Sequence, residues 1–280
     1  MSPVDVQRLA DLLTERDLAI LRTLRAHRLA TTAQLRRWHF VEQFATLTTA
    51  TRSTQRVLAR LEHHRLAVRL AQRIGGVRRG SESVVWQLDV AGDRLLSVLD
   101  GDHRRRYLEP ARAFVSHTVA VTELAVRLTE AVRGGELEHA QFTGEPDCWR
   151  RFSGAHGRAE ILKPDLTAVT AFGDYEDHWF LELDLATESP SIVARKAHVY
   201  ERYANTGAYQ ADHSIFPVVL WVVPDEARVI ALERALRRSN GLTPGIHRVV
   251  TGDEFLPTVL VGNDPAPENS SNLTERRNTP

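Results

Sequence analysis

Apolar residues recur at helical spacing near the front of the chain. Leu18, Leu21 and Leu24 line one face between Thr14 and His27, and Thr14 with Asp17 three residues on has the form of a capping box. A second helix is expected after Thr31, carrying Leu35 and Trp38. Thr46 to Ser53 is polar and β-branched, which predicts a connecting loop. From Ser53 to His64 a third helix turns Val57, Leu58 and Leu61 one way, while Arg52, Arg56 and Arg60 stand at i, i+4 and i+8 on the other. Leu66 to Arg73 alternates as a strand does, Ser83 to Leu88 does so again, and Gly75–Gly76 with Arg78 and Arg79 lies between them. That is a hairpin with a basic, glycine-rich tip. A further helix is expected from Ala91 to Leu99.

The pattern then changes. Asp100 to Pro110 is charged and contains Arg104, Arg105 and Arg106, as a domain boundary would. Phe114 to Val132 is a helix with Val115, Val119, Val121, Leu124 and Leu128 on its buried side, stopped by Gly134–Gly135. Strands are expected at Leu137–Phe142, Ile161–Phe172 and Trp179–Leu185, with an irregular stretch holding Cys148, Trp149 and Phe152 after the first. A helix follows Pro190 as far as Tyr203. Phe216 to Val223 is apolar almost throughout, like a strand covered on both faces. Residues 226–238 form another amphipathic helix, and His247 to Val250 a short strand. The tail from Pro265 reads as disordered. This order predicts an α/β (α+β) protein with an extension at 1–13, a small front domain at 14–103, a linker at 104–113, a mixed-sheet sandwich at 114–262 and a tail at 263–280.

Charge sharpens the division. The formal net charge is zero, yet residues 1–106 hold 19 Arg and no Lys against 11 acidic residues, giving +8. The remainder holds 17 basic and 25 acidic residues, giving −8. A polyanion-binding front joined to a carboxylate-rich back is the natural reading. No apolar run is long enough to span a membrane and no signal peptide opens the chain, so a cytoplasmic protein is expected. One cysteine, Cys148, excludes a disulfide framework and a thiolate zinc site. The Asn269 and Asn272 glycosylation matches are then chance, and His63–His64 is read as surface.

The stretch 14–99 resembles a winged helix-turn-helix. The resemblance implies that the third helix enters the major groove and the hairpin touches the backbone. Arg52, Gln55 and Arg56 are then candidates for base or phosphate contact, with Arg60, Arg78 and Arg79 beside them. The plain alternative is a basic helix in a protein–protein module.

In the back domain Lys163-Pro164-Asp165 opens one strand. Glu182 and Asp184 share a side of the next, because strand side chains alternate. Three carboxylates near one point would be costly without a cation, and their oxygens suit Mg²⁺ or Mn²⁺. Lys196 follows on the next helix. Of 36 basic residues only Lys163 and Lys196 are lysine, and both flank this stretch. The plain alternatives are a turn-capping Asp165 and a solvated strand face. Tyr200, one turn beyond Lys196, is read mainly as packing, with attack on a phosphate as the other option.

Pro164-Asp165 and Glu182 resemble the first two motifs of the PD-(D/E)xK nuclease superfamily. Asp184 stands where that superfamily's lysine is expected, and Lys196 occupies the displaced position some branches use. Glu123 matches an accessory acidic residue. The segment Glu182 to Ser189 with Lys196, Tyr200 and Pro164-Asp165 resembles, more specifically, the actinobacterial replication-relaxation family over roughly residues 14–225. The resemblance implies a DNA-binding protein of plasmid or mobile-element replication or relaxation. It implies a restriction-endonuclease-like second domain with catalytic Asp165, Glu182, Asp184 and Lys196, nicking or cutting double-stranded DNA with Mg²⁺. The alternative is a non-catalytic regulator or replication accessory factor with a degenerate nuclease domain. A homodimer is compatible with either, and no small-molecule cofactor or membrane is expected.

Overall fold

The computed structural model describes residues 8–41, 44, 46–74, 83–101, 111–154 and 157–262. The chain divides into two compact units, Met1–Cys148 and Trp149–Pro280. Arg78, Arg79, Arg104, Arg105, Arg106 and the tail from residue 263 lie outside the described residues.

The first unit runs α1 (Glu15–His27), β1 (Leu29–Thr31), α2 (Thr32–His39), α3 (Leu47–His63), β2 (Ala67–Ile74), β3 (Ser83–Leu88), α4 (Val90–Asp100), α5 (Arg112–Arg133) and β4 (His139–Gly144). The capping box at α1 is reciprocal. Asp17 N–H donates to Thr14 Oγ1 at 3.2 Å, and Thr14 N–H donates to Asp17 Oδ2 at 2.8 Å. Thr31 and Gln34 repeat the device at α2. Ile20, Leu21, Leu24, Leu35, Leu58 and Leu61 meet in one fully buried core.

One sequence expectation changes here, and one short strand is added. The stretch expected as a loop is helix from Leu47 onward: Thr46 caps α3 through Thr49 N–H, and Thr51 and Thr54 return their hydroxyls to carbonyls one turn back. Burial of Ala50 and Thr54 outweighs the weak helix preference of the threonines. The three-residue β1, too short to show a period, pairs antiparallel with β3, which also pairs with β2.

The division between units falls after β4 rather than in the 104–113 segment, so α5 belongs with the first unit. Its contacts there are polar as well as apolar. Thr122 Oγ1 donates to Leu29 O at 2.8 Å, Gln34 Nε2 donates to Val119 O at 2.9 Å, and Arg133 bonds the carbonyls of Arg37 and Trp38 at 2.9 Å each.

The second unit runs β5 (Arg150–Ser153), β6 (Ala159–Leu162), β7 (Leu166–Phe172), β8 (Tyr175–Leu183), α6 (Pro190–Ala204), α7 (Ala208–His213), β9 (Val218–Val223), α8 (Glu226–Arg238), β10 (His247–Thr251) and α9 (Phe255–Val261). Its sheet strands follow the order β10–β9–β8–β7. The β7–β8 pair is antiparallel, and β8–β9 and β9–β10 are parallel. β5 and β6 form a separate antiparallel pair. The architecture is therefore mixed α/β. The run expected as one strand from Ile161 to Phe172 is two, broken at Lys163-Pro164-Asp165, where Pro164 has no N–H to give a ladder. All of β9 is buried, as its apolar run requires. Val219, Trp221 and Val223 pack with Phe180 against Val193, Ala197 and Tyr200 of α6 and Val229 and Leu232 of α8. Among the described residues no helix is long and apolar enough to cross a membrane.

One contact in the first unit gives a test of sign. A Cβ on Gly92 of α4 would lie 2.2 Å from Leu66 O and 2.8 Å from Leu88 Cδ1. Alanine normally stabilises a helix interior by about 1 kcal/mol over glycine. Here Gly92→Ala is expected to destabilise by about 2 kcal/mol through overpacking, read as a lower urea midpoint. A midpoint above that of the wild type would show that α4 does not press on this carbonyl.

Candidate functional site

In the first unit α3 turns Ala50, Thr54, Leu58 and Leu61 inward and leaves Arg52, Gln55, Arg56 and Arg60 exposed. These four are not equivalent. Arg60 Nη2 donates to both oxygens of the fully buried Asp17 at 2.6 Å, so it closes the capping box rather than standing free. Among the described residues Arg52, Gln55 and Arg56 make no side-chain hydrogen bond or ion pair, so this one-turn cluster is available for contact with a ligand. Glu123 also lies in the first unit. Its carboxylate accepts from Arg37 and, at 3.0 Å, from Gln34, while Arg37 reaches Glu130 as well. It ties α5 to α2.

In the second unit the sheet register sets the chemistry. Leu166 pairs with Leu181, which places Asp165 one step ahead of that pair, opposite Glu182. Asp165 is buried and its Oδ2 accepts Leu183 N–H at 2.8 Å. Glu182 is only 2% exposed. It shares a strand face with Phe180 and points toward α6, where Lys196 and Tyr200 stand one turn apart. Lys196 Nζ donates to Glu182 Oε2, and the buried Tyr200 hydroxyl donates to Oε1. Burial raises the Glu182 pKa to about 8, and the Asp165 charge adds to the rise although Lys196 and Tyr200 pull the other way.

Asp184 has a different partner. Its Oδ2 accepts from Arg228 Nε at 2.7 Å and Nη2 at 2.6 Å, and its Oδ1 accepts Ala186 N–H at 2.8 Å. Lys163 is exposed, with Nζ 4.5 Å from the centre of the Trp149 ring. Asp165, Glu182, Lys196 and Tyr200 are thus brought together, while Asp184 and Lys163 are turned to other work. Arg228 is the residue that sequence reasoning missed. It comes from a helix 44 residues further along, and no local pattern marks it.

Among the described residues no group of three or more His, Cys, Asp and Glu is placed to hold a metal ion. The oxygen donors facing one point are two, Asp165 and Glu182. They are hard ligands of the kind Mg²⁺ and Mn²⁺ take.

The raised Glu182 pKa gives a prediction. In the unfolded chain this group loses its proton near 4.5, as an ordinary glutamate does, whereas the folded protein keeps it to about 8. The folded state therefore binds more protons between those values, so its stability falls as pH rises from 4.5 to 8. Urea unfolding in EDTA across that range should show the fall in the wild type and a flatter profile in Glu182→Gln. Parallel profiles would mean that Glu182 ionises normally.

A family model described as replication-relaxation matches residues 21–219. No curated protein and no solved structure matches the chain. The matched stretch takes in α2, α3, Asp165, Glu182, Lys196 and Tyr200 and stops short of Arg228. It covers more than half of the 280 residues, and the chain belongs to the replication-relaxation family.

Proposed function

We propose that the protein is a cytoplasmic, duplex-DNA-binding factor of plasmid or mobile-element replication or relaxation, and that its second unit nicks or cleaves DNA with Mg²⁺ or Mn²⁺. The first unit would act as a winged helix-turn-helix, laying α3 in the major groove. Support for the binding step is the exposed face of α3, where Arg52, Gln55 and Arg56 have no side-chain partner among the described residues, beside an Arg60 already committed to Asp17. Arg and Gln are the side chains that pair in bidentate fashion with guanine and adenine edges.

The observation that carries the cleavage step is the meeting of Asp165 and Glu182 from adjacent strands with the Lys196 ammonium on Glu182. Asp165 and Glu182 would hold the ion, which supplies charge neutralisation at the phosphate and a more acidic bound water. The chain's own groups do the rest. Leu183 N–H orients Asp165, Tyr200 Oη orients Glu182, and Lys196 Nζ offers a compact positive charge where the phosphate charge grows.

A second reading has its own observation. Glu182 already holds Lys196 and Tyr200, and Asp184 already holds Arg228, so the carboxylates are compensated within the chain. A DNA-binding accessory factor that does not cut would have this arrangement.

Two experiments test these readings. Arg52→Ala with Arg56→Ala should weaken duplex binding and reduce the slope of log affinity against log salt by about one unit per lost phosphate contact. Unchanged binding across a salt series would remove α3 as the reader. Supercoiled plasmid with the wild type in Mg²⁺, in Mn²⁺ and in EDTA tests cutting. Metal-dependent nicking that falls roughly 10²-fold in Lys196→Ala, with Lys196→Arg rescuing poorly, is the expected result. DNA binding with no nicking in either metal would favour the accessory factor.

A further inference from the structure

Six residues, 184–189, join the end of β8 to the start of α6. They decide how far Lys196 stands from Glu182, since one residue lies before the connection and the other after it. The segment is not a regular turn. Ala186 sits at φ 58°, in the left-handed region that disfavours a side chain, and its N–H is held by Asp184 Oδ1 at 2.8 Å. Such a conformation persists only when its surroundings enforce it.

Arg228, in the first turn of α8, is the group that does so. Its side chain is 11% exposed and makes three contacts with this segment. Nε and Nη2 reach Asp184 Oδ2 at 2.7 and 2.6 Å, and Nη2 also donates to Glu188 O at 2.7 Å. One planar fork therefore ties both ends of a five-residue span to a helix that also packs on α6 through Val229 and Leu232.

We infer that Arg228 is a positioning residue for the Glu182–Lys196 pair: by holding Asp184 and the Glu188 carbonyl at once, it fixes the connection from β8 to α6 and so where Lys196 stands. The inference gives Asp184 a role as an anchor for Arg228 rather than as a third oxygen ligand. It deepens the proposed site and rests on the reading of Lys196 as its working cation.

The two lysines supply the test. Lys163 is exposed, whereas the Lys196 ammonium is engaged by Glu182. A limited pulse of an amine-acetylating reagent, followed by mass spectrometry, gives the ratio of modification at Lys196 to that at Lys163, with Lys163 as internal reference. Neither DNA nor cleavage enters the measurement, so it stands apart from the nicking assay. Arg228→Gln should raise the ratio roughly tenfold, the factor that loss of one charge-assisted hydrogen bond implies. Asp184→Asn, close to isosteric, should raise it in the same direction and carries the test if Arg228→Gln does not fold. Arg228→Lys should fall between, because a single ammonium cannot hold the carboxylate and the carbonyl in the same geometry. The control is Arg202→Gln, which removes an exposed ion pair from α6 to Glu160 and should leave the ratio unchanged. Equal ratios in wild type, Arg228→Gln and Asp184→Asn would overturn the inference. So would an equal rise in Arg202→Gln, since loosening α6 by any route would then suffice.

Discussion

Glu182 brings a carboxylate into the interior of the second unit, where an uncompensated charge costs several kcal/mol. Its strand is covered by α6 on that face, so compensation has to come from α6. Lys196 and Tyr200, one turn apart, provide an ammonium and a hydroxyl to its two oxygens. That requirement fixes the rotation of α6 about its own axis. The face bearing Val193, Ala197 and Tyr200 must turn inward, which closes the apolar core against Phe180 and Trp221. Packing and charge therefore ask for the same placement of the helix, and agreement between levels is what specifies a single fold.

The first unit meets a similar constraint with arginine. Asp17 is fully buried because it caps α1, and Arg60 neutralises it from α3. Arg37 joins α2 to α5 through Glu123 and Glu130, and these carboxylates hold its guanidinium above its ordinary pKa. Arginine suits such work because its donors diverge and it stays charged. A basic front half is thus partly structural. The polar residues of α3 that would serve the proposed recognition are Arg52, Gln55 and Arg56, which make no side-chain hydrogen bond or ion pair among the described residues.

Much of this was legible in the chain before its fold. Periodicity placed the long helices, and the apolar run at Phe216–Val223 marked the central strand β9. Strand alternation, with Pro164-Asp165 before it, pointed to Asp165 and Glu182, and the rarity of lysine pointed to Lys196. What failed did so for identifiable reasons. Threonine-rich Thr46–Ser53 has weak local preference and was decided by burial. Asp184 was assigned from its side of the strand, yet a partner 44 residues away decides what its carboxylate binds. Arg60 looked like its neighbours at i−4 and i−8 until Asp17 came within reach. Local spacing shows which face a residue takes. It does not show what that face meets.

The same logic bears on why an overall neutral chain would bind and process a polyanion. Residues 107–280 carry −8, and the carboxylates of the proposed site add a local negative potential that opposes an approaching phosphate. Beyond a Debye length of about 8 Å at physiological salt that opposition is screened, so it acts only on DNA already close. Under the proposed function, binding strength would then come from the residues carrying +8, through counterion release that does not depend on sequence. At the site itself the relevant charge is local. Lys196 is set against one buried carboxylate, Arg228 against another, and Asp165 draws an N–H from the backbone. A divalent ion on Asp165 and Glu182 would turn this balance positive and reverse the sign of the local field on the phosphate. In such a design the metal decides whether bound DNA can enter the site, which is why nicking and binding should separate cleanly when the ion is withheld.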